Sequence, residues 1–217
     1  MAQRAIRAAA LTVAVALVLA TASPAAAQTF QLDLMGGTAY NVPTPLTIRQ
    51  AGFPDTTFTA HYDTKPLGPF APYYSWRVSV WNSRHTSGWE LQQVHHRVFL
   101  SNTNDVVQFF AIHFGYNYVL AGHAWMWRGF ELHADGGVIV PNPQNTIRNQ
   151  QLPPTGYRLS GVGAALSVGR HLVLTRNIYL LAEGALLAGH TSVPVVAGSA
   201  SVPNLGLHVH VGAGIRF

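Results

Sequence analysis

The stretch Leu205-Gly-Leu-His-Val-His-Val-Gly-Ala-Gly-Ile-Arg-Phe217, at the end of the chain, decides the fold. Apolar residues occupy every second position, and glycine, histidine or arginine occupies each position between them. Because successive side chains of a β-strand point to opposite faces, one face of this segment is wholly apolar and the other is polar. An apolar face against lipid and a polar face lining a lumen are typical of a membrane-spanning barrel strand.

The start of the chain predicts export. Arg4 and Arg7 precede an apolar stretch from Ala8 to Leu19, and the alanines at 25–27 form a small-residue cleavage pattern before Gln28. The stretch is shorter than the roughly 20 apolar residues of a spanning helix, so a cleaved signal peptide is favoured over an anchor. We therefore expect a signal peptide at 1–27 and an outer-membrane β-barrel domain at 28–217.

Composition narrows the class of protein. Charged residues make up 10% of the 217 residues, against about 25% in soluble domains. The formal net charge of +5 is modest and predicts no nucleic-acid partner. The chain has no cysteine, which excludes disulfides, thiol chemistry and a lipoprotein anchor.

Proline positions divide the rest of the chain, because proline donates no ladder hydrogen bond and is kept out of central strands. After residue 27, the prolines lie at 43–72, 141–154, 194 and 203. Eight strands are predicted between them, at 29–42, 72–82, 88–100, 108–119, 130–140, 157–169, 178–192 and 205–217. The connectors 43–71, 101–107, 141–156 and 193–204 are mostly long and proline-rich, whereas 83–87, 120–129 and 170–177 are shorter or proline-free. Long outer loops and short inner turns predict an all-β fold, an eight-stranded antiparallel up-and-down transmembrane β-barrel.

The alternation also predicts which side chains line the lumen. In 108–119 we expect Phe110, Ile112 and the other even-numbered residues to face lipid. In 88–100 no unbroken register keeps both His95 and His96 from lipid, which predicts a bulge. The predicted polar interior and its mouth comprise Asp33, Arg77, Glu90, His113, Asn117, Glu131, His133, Asp135, Arg158, Glu183, His208, His210 and Arg216. Eight strands enclose a bore that side chains can fill, so these residues are expected to form a plug.

Aromatic residues near the short turns predict a girdle at the periplasmic interface. This set comprises Trp81, Trp89, Tyr118, Trp125, Trp127, Phe130, Tyr179 and Phe217. Tyr73, Tyr74 and Tyr157 are candidates for the outer girdle.

The sequence resembles the small eight-stranded outer-membrane β-barrel proteins of Gram-negative bacteria. The shared features are the signal peptide, the eight amphipathic strands, the long outer loops and the terminal Phe217. The pattern Val209-x-Val211-x-Ala213-x-Ile215-x-Phe217 resembles the assembly signal that such proteins present to the barrel-insertion machinery. The resemblance implies location in the outer membrane and contact with its lipids and with the barrel-assembly machinery. It implies nothing about activity, because fold does not imply function.

Metal binding and catalysis are the alternatives to a structural interior. His208-x-His210 and His133-x-Asp135 each place two potential ligands about 6.5–7 Å apart on one face, which is a weak metal signal. The chain has no His-x-Ser-Asn motif like that of the outer-membrane lipid A deacylase. His190-Thr-Ser192 and the segment 95–102 resemble that motif only loosely. In either case Glu90 or Glu183 could only be guessed as the acid that orients the histidine. We predict no metal, no cofactor and no confident catalytic residue.

The predicted function is that of a monomeric integral outer-membrane barrel with a structural or surface-binding role. Its extracellular loops are the expected contact surface for an unidentified ligand. A lipid A-modifying hydrolase is the alternative, and a narrow pore is the third. At the level of fold, the alternative is a secreted barrel of lipocalin type, with apolar residues inside and polar ones outside.

Overall fold

A computed structural model describes residues 28–67 and 72–217, so the predicted signal peptide lies outside the described residues. In this part of the chain the ordered structure is β-strand, and every strand pairing is antiparallel. No helix in these ranges is long and apolar enough to cross a membrane. The strands are β1 (Thr29–Val42), β2 (Thr44–Gln50), β3 (Thr56–Ala60), β4 (Tyr62–Asp63), β5 (Tyr74–Trp81), β6 (Ser87–Leu100), β7 (Val107–Trp127), β8 (Phe130–Pro141), β9 (Gln144–Ile147), β10 (Gln150–Gln151), β11 (Gly161–Val173), β12 (Ile178–Val195) and β13 (Gly198–Arg216).

Eight of these strands form a closed ring in the order β1, β5, β6, β7, β8, β11, β12, β13. The last strand closes the ring on the first, with Leu32 paired to Ile215 and Val42 to Leu205. Closure leaves no unpaired edge along the wall, as a membrane-spanning sheet requires. The predicted fold class, an eight-stranded antiparallel barrel, is confirmed.

Several strand bounds differ from the prediction; β11, predicted at 157–169, extends over Gly161–Val173. The prediction placed a connector at 120–129, but β7 continues to Trp127 and only Arg128 and Gly129 form the turn, at φ angles of 50° and 84°. The predicted loop 193–204 is instead the paired upper part of β12 and β13 around a turn at Val196 and Ala197.

Two prolines lie inside that upper hairpin without disrupting it. Pro194 lies in β12 beyond Thr191, the last residue of β12 that pairs with β11, and Pro203 lies in β13 between the segments that pair with β1 and β2. At both positions the strand has lost its second neighbour, so the missing N–H removes no ladder hydrogen bond. The proline rule therefore predicted loops where the structure has locally unpaired strand edges.

The two faces of β13 are as its alternation predicts. Leu207, Val209 and Val211 are exposed on the outside, while His208 and His210 are buried in the lumen. In β7 the faces are reversed from the prediction: Phe110, Ile112, Tyr116 and Tyr118 fill the lumen, and Trp125 and Trp127 are exposed. Alternation identifies the residues that share a face, but it does not say which face is inside when the lumen itself is apolar.

The lumen has two layers, which explains that reversal. The layer near the short turns is polar, and the layer near the long loops is a hydrophobic core. The core includes Leu46, Ile48, Val98, Phe110, Ile112, Ile147, Val193 and Val202. Burial in this core raises the pKa of the Tyr62 phenol well above its ordinary value, so that the group stays neutral.

Above the ring, at the end that the sequence predicts to be extracellular, a cap consists of β2, β3, β4, β9, β10 and the upper ends of β6, β7, β12 and β13. Gln50 joins three of its tips. The Gln50 amide donates to Gln150 Oε1 at 2.8 Å and to the Val196 carbonyl at 2.9 Å, and it accepts from Arg148 Nη1 at 2.9 Å. The predicted 43–71 loop is thus largely an ordered hairpin of β2 and β3 that pairs with β13.

Aromatic residues near the short turns divide into two groups. Trp89, Trp125, Trp127, Phe130 and Phe217 are exposed on the outer wall, as a membrane girdle requires. Trp81, Tyr118 and Tyr179 are fully buried inside the barrel, and Tyr73 is nearly so. Of the three tyrosines assigned to the outer girdle, Tyr74 and Tyr157 are exposed.

The irregularity predicted in 88–100 lies in the upper part of β6. The pairing of β6 with β7 shifts register between His96 and Val98. His96 is buried in the lumen, whereas His95 stacks on the outward-facing ring of Tyr74 at a centroid distance of 4.8 Å. The bulge allows two consecutive histidines to occupy opposite sides of the wall.

Candidate functional site

Arg77 is the centre of the polar layer. Its Nη2 donates to Glu183 Oε2 at 2.7 Å. Its Nε lies 3.8 Å from Glu90 Oε1, and its Nη1 lies 3.9 Å from Asp33 Oδ2. These side chains come from β5, β12, β6 and β1, so one guanidinium joins four strands. All four are buried, and such an arrangement is favourable only because each charge has partners.

A second group extends from Arg77 towards the periplasmic end. His133 Nδ1 lies 2.8 Å from Glu90 Oε2, and His133 Nε2 lies 3.8 Å from Glu131 Oε2. Glu131 also lies 3.2 Å from His171 Nδ1 and 3.6 Å from His85 Nε2. These last two histidines are partly exposed, so the network ends at the rim of the barrel.

A third group extends from Glu183 towards the extracellular end. His210 Nδ1 lies 3.0 Å from Glu183 Oε1, and the Tyr73 hydroxyl lies 2.6 Å from both His210 Nε2 and His208 Nδ1. A Glu183 carboxylate accepts from His210 Nδ1–H, so His210 Nε2 accepts from the Tyr73 hydroxyl. The Tyr73 oxygen then accepts from His208 Nδ1–H, and His208 Nε2 is left without a partner among the described residues.

Most of the sequence-predicted interior residues lie together in this network. Asp33, Arg77, Glu90, Glu131, His133, Glu183, His208 and His210 are all members of it. Asp135 is buried beside them, but neither of its carboxylate oxygens has a hydrogen-bond partner in the described chain.

Four predicted residues lie elsewhere. His113 and Asn117 belong to β7, whose faces are reversed, so both point outward, and His113 stacks on Phe99. Arg158 is exposed in the irregular segment before β11, because that strand begins only at Gly161. Arg216 lies outside the network but at the mouth of the barrel, within the predicted region, and its Nε donates to the Arg176 carbonyl at 3.1 Å.

The prediction missed several members of the network, of which Tyr73, Tyr179, His85 and His171 make the closest contacts. Tyr179 donates to Asp33 Oδ1 at 2.6 Å and stacks on His171 at 4.1 Å. The two tyrosines were assigned to girdles because they flank strand ends. His85 and His171 were overlooked because they lie in or beside the short turns. Tyr179 and Glu183 are four residues apart in β12 and therefore share a face, so the inward assignment of Glu183 would have placed Tyr179 inside.

Glycines let the network fill the lumen. A side chain at Gly214 would overlap Asp33 and the Tyr179 ring, and one at Gly37 would meet the rings of His210 and Tyr73. The barrel is therefore packed at this level by aromatic and imidazole rings that lie against glycine backbone.

The chemistry of the network is limited by its burial. Tyr73, His210 and Glu183 have the order of a nucleophile, a base and an orienting acid, but none is more than 4% exposed, so a substrate has no access. Within residues 28–67 and 72–217, no group of three or more potential ligands has a geometry that could hold a metal ion. The arrangement is suited to joining strands.

An accessible serine and histidine occur on the outer surface. The Ser201 hydroxyl lies 2.8 Å from His190 Nε2, near the extracellular ends of β12 and β13. The sequence had suggested Ser192 as the neighbour of His190, but the antiparallel pairing brings Ser201 there instead. In the described part of the chain, no carboxylate forms a hydrogen bond with His190, so the orienting acid of a catalytic triad is not in place.

Comparisons with known proteins give likeness of fold. No protein-family model and no curated protein matches the sequence. The chain is similar to the outer membrane protein AlkL, solved by solid-state NMR in lipid bilayers, at 12% identity over 91% of this chain and 93% of that one, with a TM-score of 0.51. It also matches OprG of Pseudomonas aeruginosa at 12% identity, 88% and 97% coverage and a TM-score of 0.46. For Neisserial surface protein A the values are 9% identity, 87% and 95% coverage and a TM-score of 0.34.

At this level of identity the likeness to AlkL shows the fold alone. It agrees with the closed ring of eight antiparallel strands and with the apolar outer wall. The chain has the fold of the small eight-stranded outer-membrane β-barrel proteins.

Proposed function

We propose that this protein is a closed barrel that acts at the cell surface as a binding protein, through its extracellular cap. One observation carries the proposal: the cap is tied together at Gln50, while the lumen beneath it is filled. A pre-ordered surface loses little conformational entropy when it binds a partner. The packed lumen argues against the pore alternative.

The tip of the cap has the side chains of a binding surface. Phe53 is 47% exposed, and the Arg148 guanidinium lies 4.4 Å from the centre of its ring. Arg49 and Asp55 form an exposed ion pair beside them at 3.3 Å. Aromatic residues and arginine contribute most of the energy in typical interfaces, so Phe53 and Arg148 are the anchors we assign.

The test uses the barrel in lipid nanodiscs on arrays of surface glycans and extracellular proteins. We expect a bound ligand whose signal falls in the Phe53→Ser and Arg148→Gln variants. Arg128→Gln is the matched control, because Arg128 also lies over an aromatic ring, Trp127 at 5.2 Å, but at the periplasmic turn. Ligand signals that are equal in cap variants and control would contradict a role for the cap.

A lipid A-modifying hydrolase is the second candidate, and the contact between Ser201 and His190 favours it. In that case Ser201→Ala would abolish a change in lipid A mass that cells with the wild-type gene display. The binding proposal expects lipid A of identical mass in cells with the wild-type gene, with the variant and without the gene.

A further inference from the structure

A group of polar side chains interrupts the apolar outer wall of the barrel. This outer-wall cluster consists of Lys65, Gln93, His95, Arg97 and Asn117. His95 and Asn117 are paired between β6 and β7, and the same row of pairs continues through Tyr74 and Gly36 to Val211. Polar side chains that face lipid are costly, which marks them as candidates for a functional site.

The lower part of the cluster is ordered but incompletely satisfied. Asn117 Oδ1 lies 2.8 Å from His95 Nδ1 and accepts from Gln93 Nε2 at 3.3 Å. His95 is 4% exposed, and its Nε2 has no hydrogen-bond partner among the described residues. Gln93 Oε1 is also buried and has no hydrogen-bond partner among the described residues. Buried polar atoms are normally paired, so these two atoms mark an unusual polar site within the wall.

Arg97 lies above His95 at the bulge of β6. Its Nε and Nη1 donate to the carbonyls of His113 and Lys65 at 3.3 and 2.9 Å, which fixes the guanidinium in the wall. Arg97 is only 7% exposed, yet it forms no ion pair within the described chain. A buried cation without a counter-charge is strongly unfavourable.

The acidic residues of the chain do not supply that counter-charge. All eight lie within the described ranges: five are buried in the lumen, Asp55 pairs with Arg49, and Asp105 is exposed between β6 and β7 and forms no ion pair. Asp63 is paired in register with Phe99 and is the acid nearest in the sheet, but it is exposed and forms no ion pair with Arg97 or Lys65. The charge is left for a ligand to neutralise.

Lys65 adds a second cation at the same place. The Lys65 ammonium lies 4.7 Å from the centre of the Phe99 ring, and the Arg97 guanidinium lies 5.1 Å from it. The two charges are therefore at most about 10 Å apart. Arginine and lysine together are the usual partners of phosphate groups.

We infer that the outer-wall cluster binds a phosphorylated lipid of the outer leaflet. Arg97 and Lys65 hold the phosphate, and the buried polar side chains of Gln93, His95 and Asn117 lie in the wall below it. The acyl chains then lie along the apolar wall formed by Tyr74, Trp76 and Leu91. A lipid is favoured over a soluble anion because the cluster opens sideways from the wall, towards the bilayer.

The test measures lipid binding to the full-length barrel in mild detergent by native mass spectrometry. The probes are phosphorylated lipid A, the same lipid A after removal of its phosphates, and inorganic phosphate. We expect the wild type to bind the phosphorylated lipid, and Lys65→Gln and Arg97→Gln each to weaken that binding about tenfold. Removal of the phosphates should have a similar effect.

Arg170→Gln is the matched control, because Arg170 is an outward-facing arginine 5.5 Å from the ring of Phe130 at the opposite membrane interface. Heat-dependent gel migration reports folding of each variant. If Arg97→Gln does not fold, Lys65→Gln decides, because the Lys65 ammonium makes no hydrogen bond within the described chain. Unchanged affinity in the lysine variant, or equal binding of lipid A without phosphates, overturns the inference. Displacement of the lipid by millimolar inorganic phosphate overturns its assignment to a lipid.

Discussion

The Tyr73 hydroxyl lies 2.6 Å from His210 Nε2, so a residue just before β5 is joined over β1 to the last strand, inside the lumen. The same hydroxyl lies 2.6 Å from His208 Nδ1. Tyr73→Phe removes both hydrogen bonds and leaves two buried imidazoles unsatisfied, which should lower the free energy of unfolding by about 1–3 kcal/mol. Tyr74→Phe is the control, since its exposed ring faces outward. Urea unfolding in lipid vesicles, followed by tryptophan fluorescence, measures both, and equal losses would refute the bridging role.

Glu183 is the acid that binds Arg77 most closely. Glu183→Gln leaves a buried guanidinium with weaker partners, so we expect a loss of about 3–5 kcal/mol in the same unfolding assay. Asp55→Asn removes half of an exposed ion pair and should cost about 0–1 kcal/mol. A loss below 1 kcal/mol for Glu183→Gln would mean that the polar layer contributes little to stability.

The outer face of β13 provides a test of the membrane position. Val209 is 59% exposed in the middle of the apolar wall, and Val209→Arg should cost about 2–4 kcal/mol in a bilayer. Ser192→Arg introduces the same charge on the outward face of β12 above the apolar band and should cost less than about 0.5 kcal/mol. Similar losses of unfolding free energy for the two variants would contradict the assignment of Val209 to the lipid-facing wall and of Ser192 to the water-exposed region above it.

Phe217 tests the predicted assembly signal. Its N–H donates to the Phe30 carbonyl at 2.9 Å, and its carbonyl accepts from the Phe30 N–H at 3.3 Å. Phe217→Ala keeps these backbone bonds and removes only the exposed ring. We expect normal export but less folded barrel in the outer membrane, measured by heat-dependent gel migration of membrane fractions. An undiminished amount of folded protein would show that the Phe217 ring is not recognised during assembly.

Closure of the lumen is tested by conductance. Arg77, Tyr73 and Tyr179 fill the bore together with the imidazoles, so the wild type in a planar bilayer should give no steady single-channel steps. Glu183→Gln changes a charge without emptying the lumen and should also stay silent. Stable steps in the wild type would favour a pore.

Alternation predicted the ring of strands because residues 205–216, the lower part of β13, place apolar side chains on one face and glycine, histidine or arginine on the other without exception. The same rule failed for β7, where both faces carry large side chains and Tyr116 and Tyr118 fill an apolar part of the lumen. Orientation there depends on what other strands place in the lumen, such as Ile139 of β8, which is paired with Tyr118, and Leu187 of β12, and a single strand does not contain that information.

The acids of the polar layer could be predicted because a charge cannot face lipid cheaply. Tyr73 and Tyr179 could not be predicted in the same way, because a tyrosine ring suits an interface as well as a packed interior. Ser201 was missed because its proximity to His190 depends on the pairing of β12 with β13 across a two-residue turn. The proline rule had assigned that part of the hairpin to a loop.

The two layers of the lumen should respond differently to temperature. The hydrophobic core near the long loops includes residues of the cap, which water surrounds once the barrel is inserted, so exposing that part of the core on unfolding carries the positive heat-capacity change of a soluble domain. The polar layer lies within the bilayer, where the apolar wall contacts lipid and the buried side chains are mostly charged or polar, so local opening there exposes little apolar surface to water. Cooling should therefore weaken the cap relative to the membrane-embedded wall, so the protection factors of amide hydrogens at its hairpin tips should fall in the cold while those of the wall stay high.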